Sequence, residues 1–138
     1  MPVRTAIMIA VCLTLLPAMA WARGAFDGNW EVTLRCSTEP GGALGYTFVF
    51  PARVTDNTIM GEHGGRGQPD WLTIEGPIHV NGTATLLANG LTGTPLYTLK
   101  HVNRGTPYQY HINAQFGDRQ GTGHRVEGRE CTYSFVKL

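Results

Sequence analysis

Five histidines are the residues of this chain best suited to bind a metal ion or transfer a proton. Neither a His-x-x-x-His nor a Cys-x-x-Cys spacing occurs, so the sequence predicts no metal site and no cofactor. Two histidines fall on strand positions that are expected to face inward, with His63 opposite Phe50 and His124 opposite Tyr133. The alternative for each is a buried histidine that only hydrogen-bonds a neighbouring side chain.

Signals for catalysis are weak in the rest of the chain. No Gly-x-Ser-x-Gly motif is present, and Ser37 and Ser134 are the only serines. The glycine-rich run 64–67 lacks the Lys-Ser/Thr pair and the following helix of a phosphate-binding loop. Several carboxylates, Glu62, Asp70, Glu127 and Glu130, are expected near one end of the fold, where such groups are usually just solvated. The sequence therefore predicts that the protein is not an enzyme.

Arginine and aromatic residues gather in the longest loops, and this composition is typical of binding hot spots. The candidate ligand-binding or partner-binding residues are Arg66, Trp71, Tyr97, Arg104 and Tyr108, together with His63 and His124. The alternative is that loops need polar residues and that several of these rings point into the core.

Charge and composition exclude some classes of function. The 138 residues include 11 Lys and Arg against 10 Asp and Glu, so no strong field would attract nucleic acid. A hydrophobic fraction of 42% argues against disorder, and the length suits one domain.

The first 22 residues have the pattern of a signal peptide. Arg4 precedes an eleven-residue apolar run, 6–16, which is too short to span a bilayer. Small residues follow, and cleavage is expected near Ala20 or Ala22. A buried N-terminal helix is the alternative. The sequence thus predicts a periplasmic or secreted protein whose single domain spans residues 23–138.

Signal cleavage would leave Cys36 and Cys131 as the only cysteines. Two cysteines in an exported domain most simply form one disulfide. Closing so long a loop would contribute about 4–5 kcal/mol in the chain-entropy model. The alternative is two free buried thiols.

Alternation of apolar and polar residues predicts an all-β protein. The predicted strands cover about 30–36, 46–54, 58–63, 71–80, 83–91, 108–116, 120–126 and 131–135. Pairing Cys36 with Cys131 places nearly all apolar residues of the first and last strands on one face, which predicts a closed eight-stranded antiparallel up-and-down barrel. The polar outer faces argue against an outer-membrane barrel and predict a soluble protein.

The connections predict two different barrel ends. Two-residue turns are expected at 56–57 and 81–82, and a three-residue turn is expected at 117–119. The long loops 37–45, 64–70 and 92–107 would gather at the opposite end, joined by one short turn at 128–129.

Gly28-Asn29-Trp30 resembles the opening of lipocalins, and the strand pattern also resembles avidin-like barrels. The lipocalin resemblance implies that Trp30 plugs the closed end while Lys137, from the last strand, packs over it. Phe26 to Trp30 and the closing strand at Cys131 resemble a group of small exported bacterial proteins of unknown function. That resemblance implies the fold and export, and no activity.

These observations favour an exported binding module that takes a small, partly apolar ligand at the long-loop end. The alternative is a protein-binding barrel, such as an inhibitor of an exported protease or lysozyme, that inserts loop 92–107 into a cleft. Cavity volume separates the two, because a ligand binder needs a cavity whereas a protein binder can be packed throughout.

Overall fold

The computed structural model describes residue 2 and residues 24–138. The apolar run and the cleavage sites near Ala20 and Ala22, which predict a signal peptide, lie outside the described residues. No helix within the described part of the chain has the length and apolar character needed to cross a membrane.

Eight strands form the body of the protein. They are β1 (Gly28–Cys36), β2 (Tyr46–Thr55), β3 (Thr58–His63), β4 (Leu72–Pro77), β5 (Thr83–Leu91), β6 (Pro107–Phe116), β7 (Gln120–Arg125) and β8 (Cys131–Lys137), with two 3₁₀ turns at Pro95–Tyr97 and Leu99–His101. Each strand pairs antiparallel with the next, and β8 pairs with β1. The predicted all-β, up-and-down, eight-stranded closed barrel is confirmed.

The pairing of β1 with β8 follows the predicted register. Cys36 lies opposite Cys131 and the two form a disulfide, while Trp30 lies opposite Lys137 at the other end of the pair. The predicted closure by a disulfide between the first and last strands is therefore confirmed. Because the strands meet, neither leaves a free sheet edge.

Strict alternation sends one face of each strand into the barrel. Along β1, Trp30, Val32 and Leu34 have no solvent-exposed surface, whereas Glu31 and Arg35 between and beside them are exposed. The same pattern in β6 and β8 fills the centre of the barrel with large side chains.

Trp30 closes the end of the barrel at which the short turns lie. Its indole Nε1 donates to the Phe26 carbonyl at 2.9 Å, and its ring meets Phe116 edge-on at 5.5 Å. The Lys137 ammonium lies 6.0 Å from the Trp30 ring centroid. Asp27 accepts hydrogen bonds from the backbone amides of the β2–β3 turn and so ties the chain entry to this end.

One short turn forms as predicted and two differ. Asp56 and Asn57 have φ of 50° and 57°, which suits a two-residue turn of type I′. The 81–82 turn is instead a three-residue loop, 80–82, because His79 pairs with Thr83 and the single positive φ falls on Gly82. The 117–119 turn is a two-residue loop, 118–119, because Gly117 donates to the Gln120 carbonyl.

The β7–β8 connection corrects a further prediction. It spans the five residues 126–130, so His124 lies opposite Thr132 and Gly123 lies opposite Tyr133. The predicted pairing of His124 with Tyr133 is wrong by one residue. Since a one-residue shift moves a side chain to the other face of a strand, His124 is exposed and the next residue, Arg125, faces inward.

Candidate functional site

A cavity of about 610 Å³ lies at the long-loop end, opposite the Trp30 plug. Its walls come from β2, β6 and the 92–107 loop. Charged side chains come from the β3–β4 loop, from the last residue of β7 and from the β7–β8 connection. The larger side chains that line it are those of Tyr46, Phe48, Asp70, Tyr97, Leu99, Val102, Tyr108, Arg125 and Arg129.

Two buried tyrosines on β6 and β8 lie below the cavity and do not line it. The hydroxyls of Tyr110 and Tyr133 hydrogen-bond to each other inside the barrel. One step further from the mouth, Val32 and Phe135 lie opposite each other and are fully buried. The barrel is thus packed from the plug to this tyrosine pair, and the cavity is confined to its mouth.

Aromatic rings form two walls of the mouth, because residues two apart on a strand share a face. On β2 the rings of Tyr46 and Phe48 lie 4.8 Å apart, and on β6 the rings of Tyr108 and Tyr110 are almost parallel at 6.0 Å. His63 stacks on the Phe48 ring at 3.9 Å. Of these rings, Tyr46, Phe48 and Tyr108 line the cavity and offer apolar surface to a bound molecule.

The 92–107 loop covers part of the mouth and is held by its own hydrogen bonds. Thr92 exchanges backbone and side-chain hydrogen bonds with Thr106, and its hydroxyl donates to the Asn103 carbonyl. A backbone bond from Leu44 to the Leu96 carbonyl at 2.9 Å joins this loop to the β1–β2 loop. The roof of the cavity is therefore a structured loop rather than a loose one.

Arg129 is buried and holds the loops together, with only 4% of its surface exposed. Its guanidinium donates to the carbonyls of Tyr97, Ser37 and Leu44 at 2.8, 2.6 and 3.1 Å. The Glu39 carboxylate lies 4.0 Å away. Charge-assisted bonds to the β1–β2 loop and to the 92–107 loop make Arg129 a positioning residue for the cavity wall.

Arg125 lies half-buried on the same wall and has different contacts. Its guanidinium carbon sits 4.0 Å from the Tyr110 ring centroid, a cation–π geometry, and its Nε donates to the Glu127 carbonyl. Among the described residues, no carboxylate lies within 4.0 Å of this guanidinium. Arg125 therefore brings a positive charge to the cavity without a carboxylate counter-ion.

The tyrosine hydroxyls around the cavity are held in their neutral form. Burial raises the pKa of Tyr46, Tyr108 and Tyr133 above the usual value and raises the pKa of Tyr110 to about 12. At Tyr46 the positive charges of Arg129 and Arg125 partly oppose this effect. At neutral pH these phenols can donate hydrogen bonds but cannot act as bases.

Of the sequence candidates, Tyr97 and Tyr108 line the cavity. His63 lies behind Phe48, where its Nδ1 is 2.8 Å from the Asp70 carbonyl oxygen. The remaining four candidates lie outside the lining.

Three of those four belong to the rim or the loops. Trp71 donates to Glu62 at 3.1 Å, and the Arg66 guanidinium lies 5.9 Å from the Trp71 ring, which makes a small cluster beside the mouth. Arg104 is exposed on the 92–107 loop, and His124 is exposed on the outer face of the barrel. Within the described residues, no three His, Cys, Asp or Glu side chains gather in a way that could hold a metal ion.

The candidate binding residues chosen from the sequence left out several residues that line the cavity: Tyr46, Phe48, Asp70, Arg125 and Arg129. Tyr46 and Phe48 carry a usable signal, because alternation continues from Phe50 to the loop end of β2. Predicting that Arg125 faces inward requires the correct length of the β7–β8 connection. Asp70 and Arg129 lie in loops, and alternation carries no information about which way a loop side chain points.

Comparisons with known proteins return no relative of this chain. No protein-family model matches it, and neither a curated protein nor a solved structure matches it. A functional proposal therefore rests on the geometry of the cavity.

Proposed function

We propose that the protein is a binding module that takes a small, largely apolar ligand in the cavity at the long-loop end of the barrel. The observation that carries this proposal is the cavity volume of about 610 Å³ in a barrel that is otherwise packed. Ligand sites of roughly 300–1,000 Å³ with apolar walls and a few polar groups are the usual form of small-molecule pockets. Aromatic walls and a structured roof fit that form.

Binding rather than catalysis suits the polar groups present. The tyrosine hydroxyls are neutral donors with raised pKa values, and Arg129 is engaged with loop carbonyls. His63 already uses Nδ1 at the Asp70 carbonyl oxygen and packs flat on Phe48. These groups can orient a ligand, and the proposal includes no reaction.

The proposal is tested by filling the cavity. Val102 is a half-buried lining residue, and Val80 is an exposed residue in a turn at the other end of the barrel. We expect N-phenyl-1-naphthylamine, an apolar dye that fluoresces when it leaves water, to bind the wild type and Val80→Trp equally. Val102→Trp should bind it at least about tenfold more weakly, because the larger side chain fills the cavity and leaves no room for the dye.

Unaltered dye binding by Val102→Trp, or no binding by the wild type, would contradict the proposal. The protein-binding alternative would use the exposed loop side chains Leu44, Leu96 and Tyr97 beside the mouth. Inhibition of an exported protease or lysozyme that survives in Val102→Trp, with no dye binding by the wild type, would favour that alternative.

We also propose that the protein acts in the periplasm or outside the cell. The disulfide between Cys36 and Cys131 supports this location, because such bonds persist in oxidising compartments. Protein recovered from the periplasm should lack the first 20 or 22 residues and should contain no free thiol before reduction. A full-length chain in the cytoplasmic fraction with free thiols would contradict the location.

A further inference from the structure

We propose that the ligand of the cavity is a planar aromatic carboxylate and that its carboxylate pairs with Arg125. This inference rests on the proposed function, since it names the class of ligand for the same cavity. Three observations support it: the contacts of Arg125, the contacts of Arg129, and the hydroxyls of Tyr46 and Tyr108, which are free within the described part of the chain.

Arg125 has donor capacity left over on the cavity side. Its Nε is used by the Glu127 carbonyl, and its guanidinium lies flat over the Tyr110 ring. The two terminal nitrogens make no hydrogen bond to any described residue. A half-buried guanidinium without a carboxylate partner carries a desolvation cost that an anionic ligand would offset.

Arg129 does not compete for the ligand. Both of its terminal nitrogens donate to loop carbonyls, and its charge lies beside Glu39. Of the two guanidinium groups lining the cavity, Arg125 is therefore the one that can form a two-pronged pair with a carboxylate.

Two phenol hydroxyls can complete the carboxylate site. Tyr46 and Tyr108 line the cavity, and their hydroxyls make no hydrogen bond to any described residue. Both lie close enough to Arg125 for its charge to lower their pKa values, against the larger opposite effect of burial. Because they stay protonated at neutral pH, they can donate to carboxylate oxygens.

The remaining surfaces select the body and the orientation of the ligand. The ring of Tyr108 and the Tyr46–Phe48 pair on the facing strand line the cavity and suit a flat aromatic body. The buried Tyr110–Tyr133 pair below the cavity stops a long chain from running down the barrel. Asp70 also lines the cavity, but at both Tyr46 and Tyr108 the effect of its charge is smaller than that of Arg125, so the charged end of the ligand is directed toward Arg125.

The test compares 2-naphthoate with its neutral analogue 2-naphthamide by titration calorimetry at neutral pH. For the wild type we expect 2-naphthoate to bind about tenfold more tightly than 2-naphthamide, in line with one charge-assisted pair. Arg125→Gln should remove this preference, because it should weaken 2-naphthoate about tenfold more than it weakens 2-naphthamide. Arg119→Gln, at an exposed turn on the opposite end, should behave as the wild type does.

The outcomes separate this inference from the proposed function. Equal binding of the two probes to the wild type overturns the carboxylate inference and leaves ligand binding in the cavity standing. Equal weakening of both probes by Arg125→Gln also overturns it, because Arg125 would then contribute only packing to the cavity and no pairing with the carboxylate. Binding of neither probe overturns the carboxylate inference, and it overturns the proposed function as well only when the wild type also fails to bind N-phenyl-1-naphthylamine. If Arg125→Gln folds poorly, the comparison of 2-naphthoate with 2-naphthamide in the wild type still tests whether the cavity prefers a carboxylate.

Discussion

The polar side chains around the cavity differ in how much of their bonding capacity the protein itself uses. The terminal nitrogens of Arg129 donate to three loop carbonyls and fix the shape of the mouth, while its buried Nε has no hydrogen-bond partner among the described residues and lies 4.0 Å from Glu39. The half-buried Arg125 guanidinium and the hydroxyls of Tyr46 and Tyr108 also keep unused donors on the cavity wall. Since a polar group shielded from water without a partner is costly, the half-buried donors that line the cavity mark where a ligand is recognised.

The buried tyrosines predict how stability depends on alkaline pH. Burial raises the folded-state pKa of Tyr110 to about 12 and that of Tyr133 still more clearly, whereas unfolded tyrosines ionise near 10. The unfolded chain therefore loses these protons first. The contribution of these tyrosines to stability should be constant below about pH 9, and stability should fall as the pH rises through about 10 to 12. Thermal unfolding measured across that range checks this.

Absorbance at 295 nm supplies a second measurement of the same effect. In the folded protein at about pH 10.5, three tyrosines, Tyr108, Tyr110 and Tyr133, should stay protonated. Adding denaturant at that pH should increase the absorbance. A folded protein whose tyrosines all titrate together near pH 10 would contradict the buried cluster.

The cavity-lining set could be predicted only in part from the sequence. Tyr97 and Tyr108 could be predicted, because the sequence shows that Tyr97 lies in a long loop and that Tyr108 begins a strand with regular alternation. Arg125 was out of reach, because one residue in the length of the β7–β8 connection decides whether it or His124 faces inward. The placement of Arg129 depends on carbonyls from distant loops, which local pattern cannot supply.

At the scale of elements, the strands were predictable and the turns were less so. One register buries Val32 and Leu34 against Phe135 and Tyr133, and a slip would expose them all, so the β1–β8 pairing was specified strongly. The turn at 80–82 was specified weakly, because a glycine can serve either a two-residue turn or a three-residue loop that needs one positive φ.

The plugged end predicts a large effect of one substitution. Trp30 is fully buried, packs on Phe116 and donates to the Phe26 carbonyl. Trp30→Ala should cost about 3–5 kcal/mol of unfolding free energy, because it removes a large core side chain and leaves a cavity. Urea unfolding monitored by circular dichroism measures the loss.

The matched control is Trp71→Ala at the rim of the other end. Trp71 is only half-buried, and its indole bond goes to the exposed Glu62, so its replacement should cost less than half as much. An unchanged urea midpoint for Trp30→Ala would mean that Trp30 does not plug the barrel.

The whole molecule is polarised along the barrel axis. At one end, short turns, the Trp30 plug and the Asp27 bonds to the β2–β3 turn leave little room for a ligand. At the other end, three long loops meet around the cavity, and Arg129 links two of them, the β1–β2 loop and the 92–107 loop. A rigid body that carries its loops at one end is the usual arrangement of a binding protein, because loops vary without disturbing the core.

This polarity predicts where ligand-induced changes occur in solution. On titration with 2-naphthamide, amide chemical shifts should change at the β2 start near Tyr46, in the 92–107 loop and at Tyr108. The turns at 56–57, 80–82 and 118–119 should stay unchanged, because the packed lumen separates them from the cavity. Two-dimensional NMR of the assigned protein measures both ends in one experiment. Val102→Trp should abolish the shifts at the loop end, since it fills the cavity. Shifts that cluster at the three short turns while the 92–107 loop is silent would place binding at the opposite end of the barrel.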